Sequence, residues 1–253
     1  MGLVSDLGIV YRMIFARTAG GSHGDRLEAF YRDQAGAYDD FRRRLLHGRQ
    51  EMIEALDIPR GGSLIDMGGG TGSNFEYLGD RRRLLQSITV VDLSPSLLKV
   101  AEERVRRRGW DNVRTVLGDA TTHEPPDGPV DVVTFSYSLT MIPDWFRAVE
   151  HARDILKPGG LIGVADFYVA RKWPAPGGAR HSRFRRAFWP LWFGWDNVFL
   201  SPDHLPYLQS RFQTVKLEER LGRMPYMLGL RAPYYIFIGR KGLNRPSGTP
   251  LAP

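Results

Sequence analysis

The spacing of apolar residues changes character along the chain, and the changes divide it. Leu3, Val4, Leu7, Val10, Tyr11, Ile14 and Phe15 recur at helical intervals, with Asp6, Arg12 and Arg17 between them, which predicts an amphipathic helix. Such a helix packs on a core, closes over a site or lies on a membrane. TAGGSHG is a loop, and residues 25–57 read as one or two charged helices ending at IPRGGS. From there short apolar runs alternate with helical ones. Ser63–Met67, Ile88–Leu93, Val113–Leu117, Val130–Phe135 and Leu161–Asp166 read as strands. PSLLKVAEERVRRR and DWFRAVEHARDIL read as helices, the second stopped by KPGG. This alternation predicts a parallel sheet with helices on both faces. After Asp166 the period is lost, and residues 167–203 mix proline, glycine, arginine and aromatics in what reads as a cap inserted after the fifth strand. DHLPYLQSRF resumes a helix, TVKLEERL and YYIFIGR close with strands, and RPSGTPLAP predicts a disordered tail. The expected division is N-terminal helices over 1–60, a core over 61–240 that contains the cap, and a tail over 241–253.

Composition narrows the chemistry. The 253 residues include no cysteine, which removes disulfides, thiol nucleophiles and Cys-based zinc sites. Met1 to Val10 lack the basic start of a signal peptide, and no apolar run approaches the roughly 18 residues of a spanning helix. The expected location is therefore cytoplasmic, free or peripheral to the membrane. A net charge of +7, carried mostly by arginine, suits phosphates on nucleic acid or on an anionic membrane, or simply a solvated surface. No group of histidines and acids has metal-ligand spacing, so no metal is expected.

The densest signal is LIDMGGGTGSNF, residues 64–75, where glycines follow an apolar run. A phosphate-binding P-loop needs Gly-Lys-Ser/Thr, and Gly72 is followed by Ser73 and Asn74. A dinucleotide turn needs a third glycine where Ser73 stands, and Asp66 would face its pyrophosphate. A carboxylate there suits a cation instead. S-adenosylmethionine is such a ligand, a nucleoside with a sulfonium and an ammonium and no phosphate. On this reading Asp66, Gly68, Gly69 and Gly70 form its turn. Asp92, where the second strand should end, takes the ribose hydroxyls, and Leu93 presses on the adenine. In GDAT, Asp119 accepts from the adenine amine and Ala120 offers its backbone N–H, while Ser136 borders the site at the end of the fourth strand.

D-x-G-G-G-x-G, a strand-end acid, GDA and LKPGG, in that order, resemble the class I S-adenosylmethionine-dependent methyltransferases over roughly residues 28–240. That resemblance implies a Rossmann-like seven-stranded sheet of order 3-2-1-4-5-7-6 with the last strand antiparallel, and S-adenosylhomocysteine as the product. The fold does not name the acceptor. Nucleic-acid amino-methyltransferases carry Asn/Asp-Pro-Pro-Tyr/Phe after the fourth strand, where this chain reads FSYSLTMIPDW, so no nucleic-acid partner is expected.

The cap says more. Arg171 to Trp195 hold five arginines, one lysine and His181 with no acid, together with Trp173, Trp189, Trp192 and Trp195. Such a segment suits a lipid headgroup interface, or else a small aromatic core with a basic rim. RLEAFYRDQAGAYDDFRRRLLHGR and FWPLWFGWDNVFLSPDHLPYL resemble the N-methyltransferase of betaine-lipid synthesis. The resemblance implies three methylations of the amine of diacylglyceryl-homoserine, at the cytoplasmic face of a membrane. It also implies a separate aminocarboxypropyl-transferase that makes this acceptor. Tyr38 and Arg49, within the matching AYDDF and HGR segments, would close over the methionine end of the cofactor. Tyr137 is the candidate for touching the amine. His204 is a candidate proton acceptor or a structural histidine, and Asp196 and Asn197 are candidates for holding the ammonium.

Overall fold

The computed structural model describes residues 44–195, 197–225, 227 and 229–243. The expected N-terminal helix, Tyr38, Asp196 and the tail beyond Leu243 lie outside them. The elements are α1 (Arg49–Ala55), β1 (Ser63–Met67), a 3-10 segment (Ser73–Leu84), β2 (Ser87–Asp92), α2 (Pro95–Arg108), β3 (Val113–Leu117), β4 (Val130–Ser136), α3 (Trp145–Ile155), β5 (Leu156–Phe167), α4 (Arg183–Gly194), α5 (His204–Arg211), β6 (Gln213–Arg223) and β7 (Arg231–Arg240). They build one sheet of order β3-β2-β1-β4-β5-β7-β6. Strands β1 to β5 run parallel, and β7 is antiparallel to both β5 and β6.

Near-continuous apolar sequence in β1, β2 and β4 is what a strand covered on both faces requires. Leu64, Met67, Ile88, Val90, Val132 and Val133 have essentially no exposed surface. On one face α1, α2 and α4 contribute Met52, Ile53, Leu98, Trp189 and Phe193; on the other, α3 and α5 contribute Val149, Ala152, Leu205 and Leu208. Strand order reverses between β1 and β4, so the chain leaves these neighbours toward opposite faces and a crevice opens beyond their C-terminal ends. Helix α2 shows how locally this frame is encoded. Ser94 caps its start by accepting from the Leu97 N–H at 3.3 Å, Pro95 occupies the first turn, and Gly109 at φ +60° ends it.

Three segments depart from the sequence expectation. LKPGG is the opening of β5 rather than only a helix stop: α3 ends at Ile155 and Leu156 already pairs with Val130. Residues 73–84 form a 3-10 segment broken at Gly79, since SNFEYLGDRRRL buries only Phe75 and Leu78 among its apolar residues and gives an α-helix no stripe to anchor. The aperiodic cap contains α4, a helix with aromatic residues on more than one side. No helix among the described residues is long and apolar enough to cross a membrane.

Candidate active site

The glycine turn leaves β1 by folding back under itself. Gly68 and Gly69 donate their N–H groups to the Val91 carbonyl at 2.8 and 3.1 Å, and Gly68, Gly70 and Gly72 all have positive φ. Gly68 has a steric reason too: a Cβ there would lie 2.6 Å from that of Ser138. The backbone can approach a ligand only because these side chains are missing.

Asp92 ends β2 and organises what faces the turn. One carboxylate oxygen accepts the Gly70 N–H at 2.8 Å and the other accepts the Ser94 N–H at 2.9 Å. The carboxylate borders the cleft, and its two acceptor oxygens suit a ribose diol. Asp119 is exposed, and one of its oxygens accepts from both the N–H and hydroxyl of Thr121, at 2.7 and 2.8 Å. Leu93 and Ala120 line the same cavity of about 220 Å3, with Gly68, Gly70, Asp92 and Asp119. Tyr137, Ser138, Met141, Ile142 and Asp144 complete its far wall. Sequence reasoning does not single out Ser138 or Asp144. Ser138 is a small residue in a loop, its hydroxyl donating to the Met67 carbonyl at 2.8 Å, and Asp144 reads as a helix cap although its side chain makes no cap bond.

The charge of this lining decides the ligand class. Asp92, Asp119 and Asp144 border the cavity, and no lysine, arginine or histidine does so among the described residues. A pyrophosphate would find no counter-charge there, whereas a sulfonium nucleoside fits.

Beneath the turn lies a buried polar network that the sequence reading assigns to the cofactor directly. Asp66 is fully buried. It accepts from the Thr134 hydroxyl at 2.7 Å and from Asn74 Nδ2 at 2.9 Å. Burial pushes its carboxyl up to about 6, against the pull of those hydrogen bonds and of the Arg49 guanidinium. Arg49 is a cation of this network, joined to Asp66 through the Asn74 amide. That arginine, buried on α1, reaches Ser73 Oγ and Asn74 Oδ1 at 3.3 Å each; it supports the turn from below and does not line the cavity. Ser136 is likewise buried in this network, its hydroxyl donating to Asn74 at 3.5 Å, and Gly69 packs over Asp66.

Tyr137 borders the cavity, but its hydroxyl donates to the His47 carbonyl at 2.7 Å. Burial, with the nearby Asp166 carboxyl, holds its ionisation well above the usual range, so it is no proton acceptor at neutral pH. Its φ of +56°, rare for a bulky residue, turns the chain into the cavity wall. His204 lies away from the cleft. It is fully buried, packed edge-on against Trp145 at 4.7 Å, and neither ring nitrogen has a hydrogen-bond partner among the described residues. Burial lowers its pKa to about 4, which keeps it neutral and makes it a core residue rather than a base. Asn197, at φ +58°, terminates α4: its N–H returns to the Gly194 carbonyl at 3.4 Å and it does not border the cavity.

One further acid carries structure here. Asp166, fully buried at the end of β5, accepts from the Thr140 hydroxyl at 2.8 Å, the Thr140 N–H at 3.2 Å and the Phe167 N–H at 2.8 Å. Burial pushes it up to about 7. Thr140 in turn accepts the Phe199 N–H at 2.7 Å. The loop bearing Met141 and Ile142 is therefore held between the sheet and the end of the cap.

Comparison with known proteins agrees with this geometry. Residues 65–164 match the methyltransferase domain family. The demethylmenaquinone methyltransferase of Geobacillus kaustophilus is 28% identical over 137 residues, covering 54% of this chain and 58% of that protein. The chain thus spans little more than half the length of the curated relatives it matches. Among solved structures, a phosphoethanolamine N-methyltransferase 2 of Haemonchus contortus, bound to phosphomonomethylethanolamine and S-adenosylhomocysteine, superposes with a TM-score of 0.66. It is 16% identical, and the match covers 88% of this chain and 61% of that one. The [4+2]-cyclase SpnF superposes at 0.67 with 18% identity, covering 90% and 98%. Residues 65–164 thus match a methyltransferase domain, set in a Rossmann-like sheet of order 3-2-1-4-5-7-6, and the cofactor is S-adenosylmethionine.

Proposed function

We propose that this protein methylates the amine of a lipid, converting diacylglyceryl-homoserine in three steps to diacylglyceryl-N,N,N-trimethylhomoserine. The observation that carries methyl transfer is the acid-lined cavity at the glycine turn, which no cationic side chain borders among the described residues. The lipid acceptor is supported by the resemblance of the WDNVFLSPDHLPYL run and by the basic aromatic cap packed beside the cleft. Phosphoethanolamine N-methyltransferase 2, which shares the fold, is by its name an enzyme of a small amine.

When bound, the cofactor supplies a methyl group already activated on sulfur. The chain's own part is to position and to exclude water. The turn and Asp92 fix the nucleoside, Asp119 and Ala120 orient its base, and the wall from Tyr137 to Ile142 borders the space left for an amine. No imidazole lines the cavity among the described residues, and the Tyr137 hydroxyl is committed to His47. On this reading the ammonium proton leaves to solvent before each transfer. Among the cap arginines, Arg171 is held by Asp203 at 2.7 Å and so is withdrawn from the homoserine carboxylate. An aminocarboxypropyl-transferase acting separately would supply the acceptor.

Incubation of the purified protein with S-adenosylmethionine and diacylglyceryl-homoserine in mixed micelles, followed by lipid mass spectrometry, tests this reading. Gains of one, two and three methyl groups are expected. Methylation of phosphatidylethanolamine or phosphoethanolamine instead would move the acceptor. A second reading is that the chain binds the cofactor without transferring its methyl group, since the same fold also serves a [4+2]-cyclase, SpnF. Calorimetric binding of S-adenosylmethionine with no methylated product from any of these amines would select it.

A further inference from the structure

Helix α4 inverts the usual rule for a surface helix. Its inner side, Trp189 and Phe193, is buried against the core. Its outer side, where charge is the norm, carries Phe184, Ala187, Leu191 and Trp195, spaced three or four residues apart and all exposed. Phe184, Leu191 and Trp195 are 60%, 68% and 67% exposed, and Phe199, just beyond the helix, is 60% exposed. These are large apolar side chains on one contiguous face, an arrangement that marks an interaction site.

The charges around the stripe select the partner. Arg180 and Arg183 are exposed and Arg185 and Arg186 half-buried; none of the four is in an ion pair among the described residues. Lys172 lies over the exposed Trp173 ring at 5.3 Å. No acid occurs from Arg171 to Trp195. An apolar stripe with arginines beside it and no acid within Arg171–Trp195 complements an anionic bilayer, whose phosphates meet the arginines while phenyl and indole rings enter the headgroup boundary. We infer that the outer face of α4 docks on an anionic lipid surface.

The same helix sets where the cleft would then stand. Phe193 packs on Phe167 at 4.5 Å, and Phe167 on Tyr137 at 4.7 Å, so the inner face of α4 leads within two ring contacts to the cavity wall. Phe199 continues the exposed face and bonds by its N–H to Thr140, next to Met141 and Ile142 of that wall. Docking through α4 brings the cavity to the lipid boundary. The inference goes beyond the proposed acceptor and does not depend on it.

The test uses the full chain and vesicles containing no amine lipid, so failure of the acceptor reading leaves it untouched. Wild-type protein is expected to float with phosphatidylglycerol–phosphatidylcholine vesicles, to be released by salt, and to ignore pure phosphatidylcholine. The Leu191→Ser/Trp195→Ser variant and, separately, Arg183→Glu should each bind roughly tenfold more weakly or worse. Unchanged calorimetry with S-adenosylhomocysteine would show that these variants are folded. Brominated lipid should quench wild-type tryptophan fluorescence more than that of Trp195→Phe, a reading that survives if the double variant fails to fold. Absence of flotation, or flotation equal in wild type and variants, overturns the inference. So does a Trp195 shielded from aqueous acrylamide without vesicles: sedimentation would then assign the cover to a second copy, if dimeric, or to this chain's residues 1–43, if monomeric.

Discussion

Asp92 shows how much one side chain can organise. Its carboxylate ties the glycine turn to the start of α2 through the Gly70 and Ser94 N–H groups, and still faces the cavity. Asp92→Ala should weaken S-adenosylmethionine binding roughly tenfold or more, since a hydrogen bond to a charged group contributes about 1.5–3 kcal/mol. Calorimetry with unchanged affinity would remove Asp92 from the site. Tyr137 is the contrasting case. Tyr137→Phe should lower stability in urea titration by about 1 kcal/mol, the worth of a hydrogen bond, by leaving the His47 carbonyl without its donor. The shape of the pH–rate profile should not change, because the amine gives its proton to solvent; a shifted profile would return the phenol to proton transfer. Asp92, Leu93, Asp119 and Ala120 were legible in the sequence because strand ends fix where side chains point. Asn74, Thr134 and Ser138 were not. Short polar residues become a network only when the fold brings together distant positions, as with Asp66 and Thr134, 68 residues apart.

At the scale of elements, regular strands and α2 were readable from period and caps alone, whereas α4 was not. A helix is recognised by the contrast between its faces, and Phe184, Leu191 and Trp195 remove that contrast. The feature that hides this helix in the sequence is the one that suggests what it touches. Helix α5 holds a different lesson, since in SPDHLPY a reactive histidine competes with the commoner structural one. With a pKa near 4 in the fold and about 6.5 unfolded, His204 takes up a proton on unfolding throughout that interval. Its contribution therefore falls as pH drops from about 6.5 toward 4. Asp166, raised to about 7, acts oppositely, because the folded state binds the proton first and gains stability on acidification below that value. The two can be separated. His204→Leu should raise the urea midpoint more at pH 5 than at pH 7.5, and an equal effect at both would mean that His204 is not buried neutral.

For the whole molecule, a parallel sheet was accessible from sequence because alternating strand and helix admits few right-handed arrangements, whereas the strand order and the cofactor came with the resemblance carried by the glycine turn, the strand-end acid and GDA. The acceptor was not, since it depends on the cap and on side chains that only folding gathers. One residue joins the two halves of that problem. Thr140 receives a hydrogen bond from the cap through its carbonyl and gives two to the sheet through its N–H and hydroxyl, in the loop that walls the cofactor cavity. A ligand that tightens the cap therefore works on the same loop as one that fills the cavity, and thermodynamic reciprocity fixes the bookkeeping. If anionic vesicles raise the affinity for S-adenosylhomocysteine by some factor, S-adenosylhomocysteine must raise the affinity for vesicles by that same factor, and Thr140→Ala, which removes the hydroxyl link to Asp166, should bring both factors toward unity. Membrane and cofactor would then be each other's effectors, and the lipid surface a regulator of the site as well as its supplier.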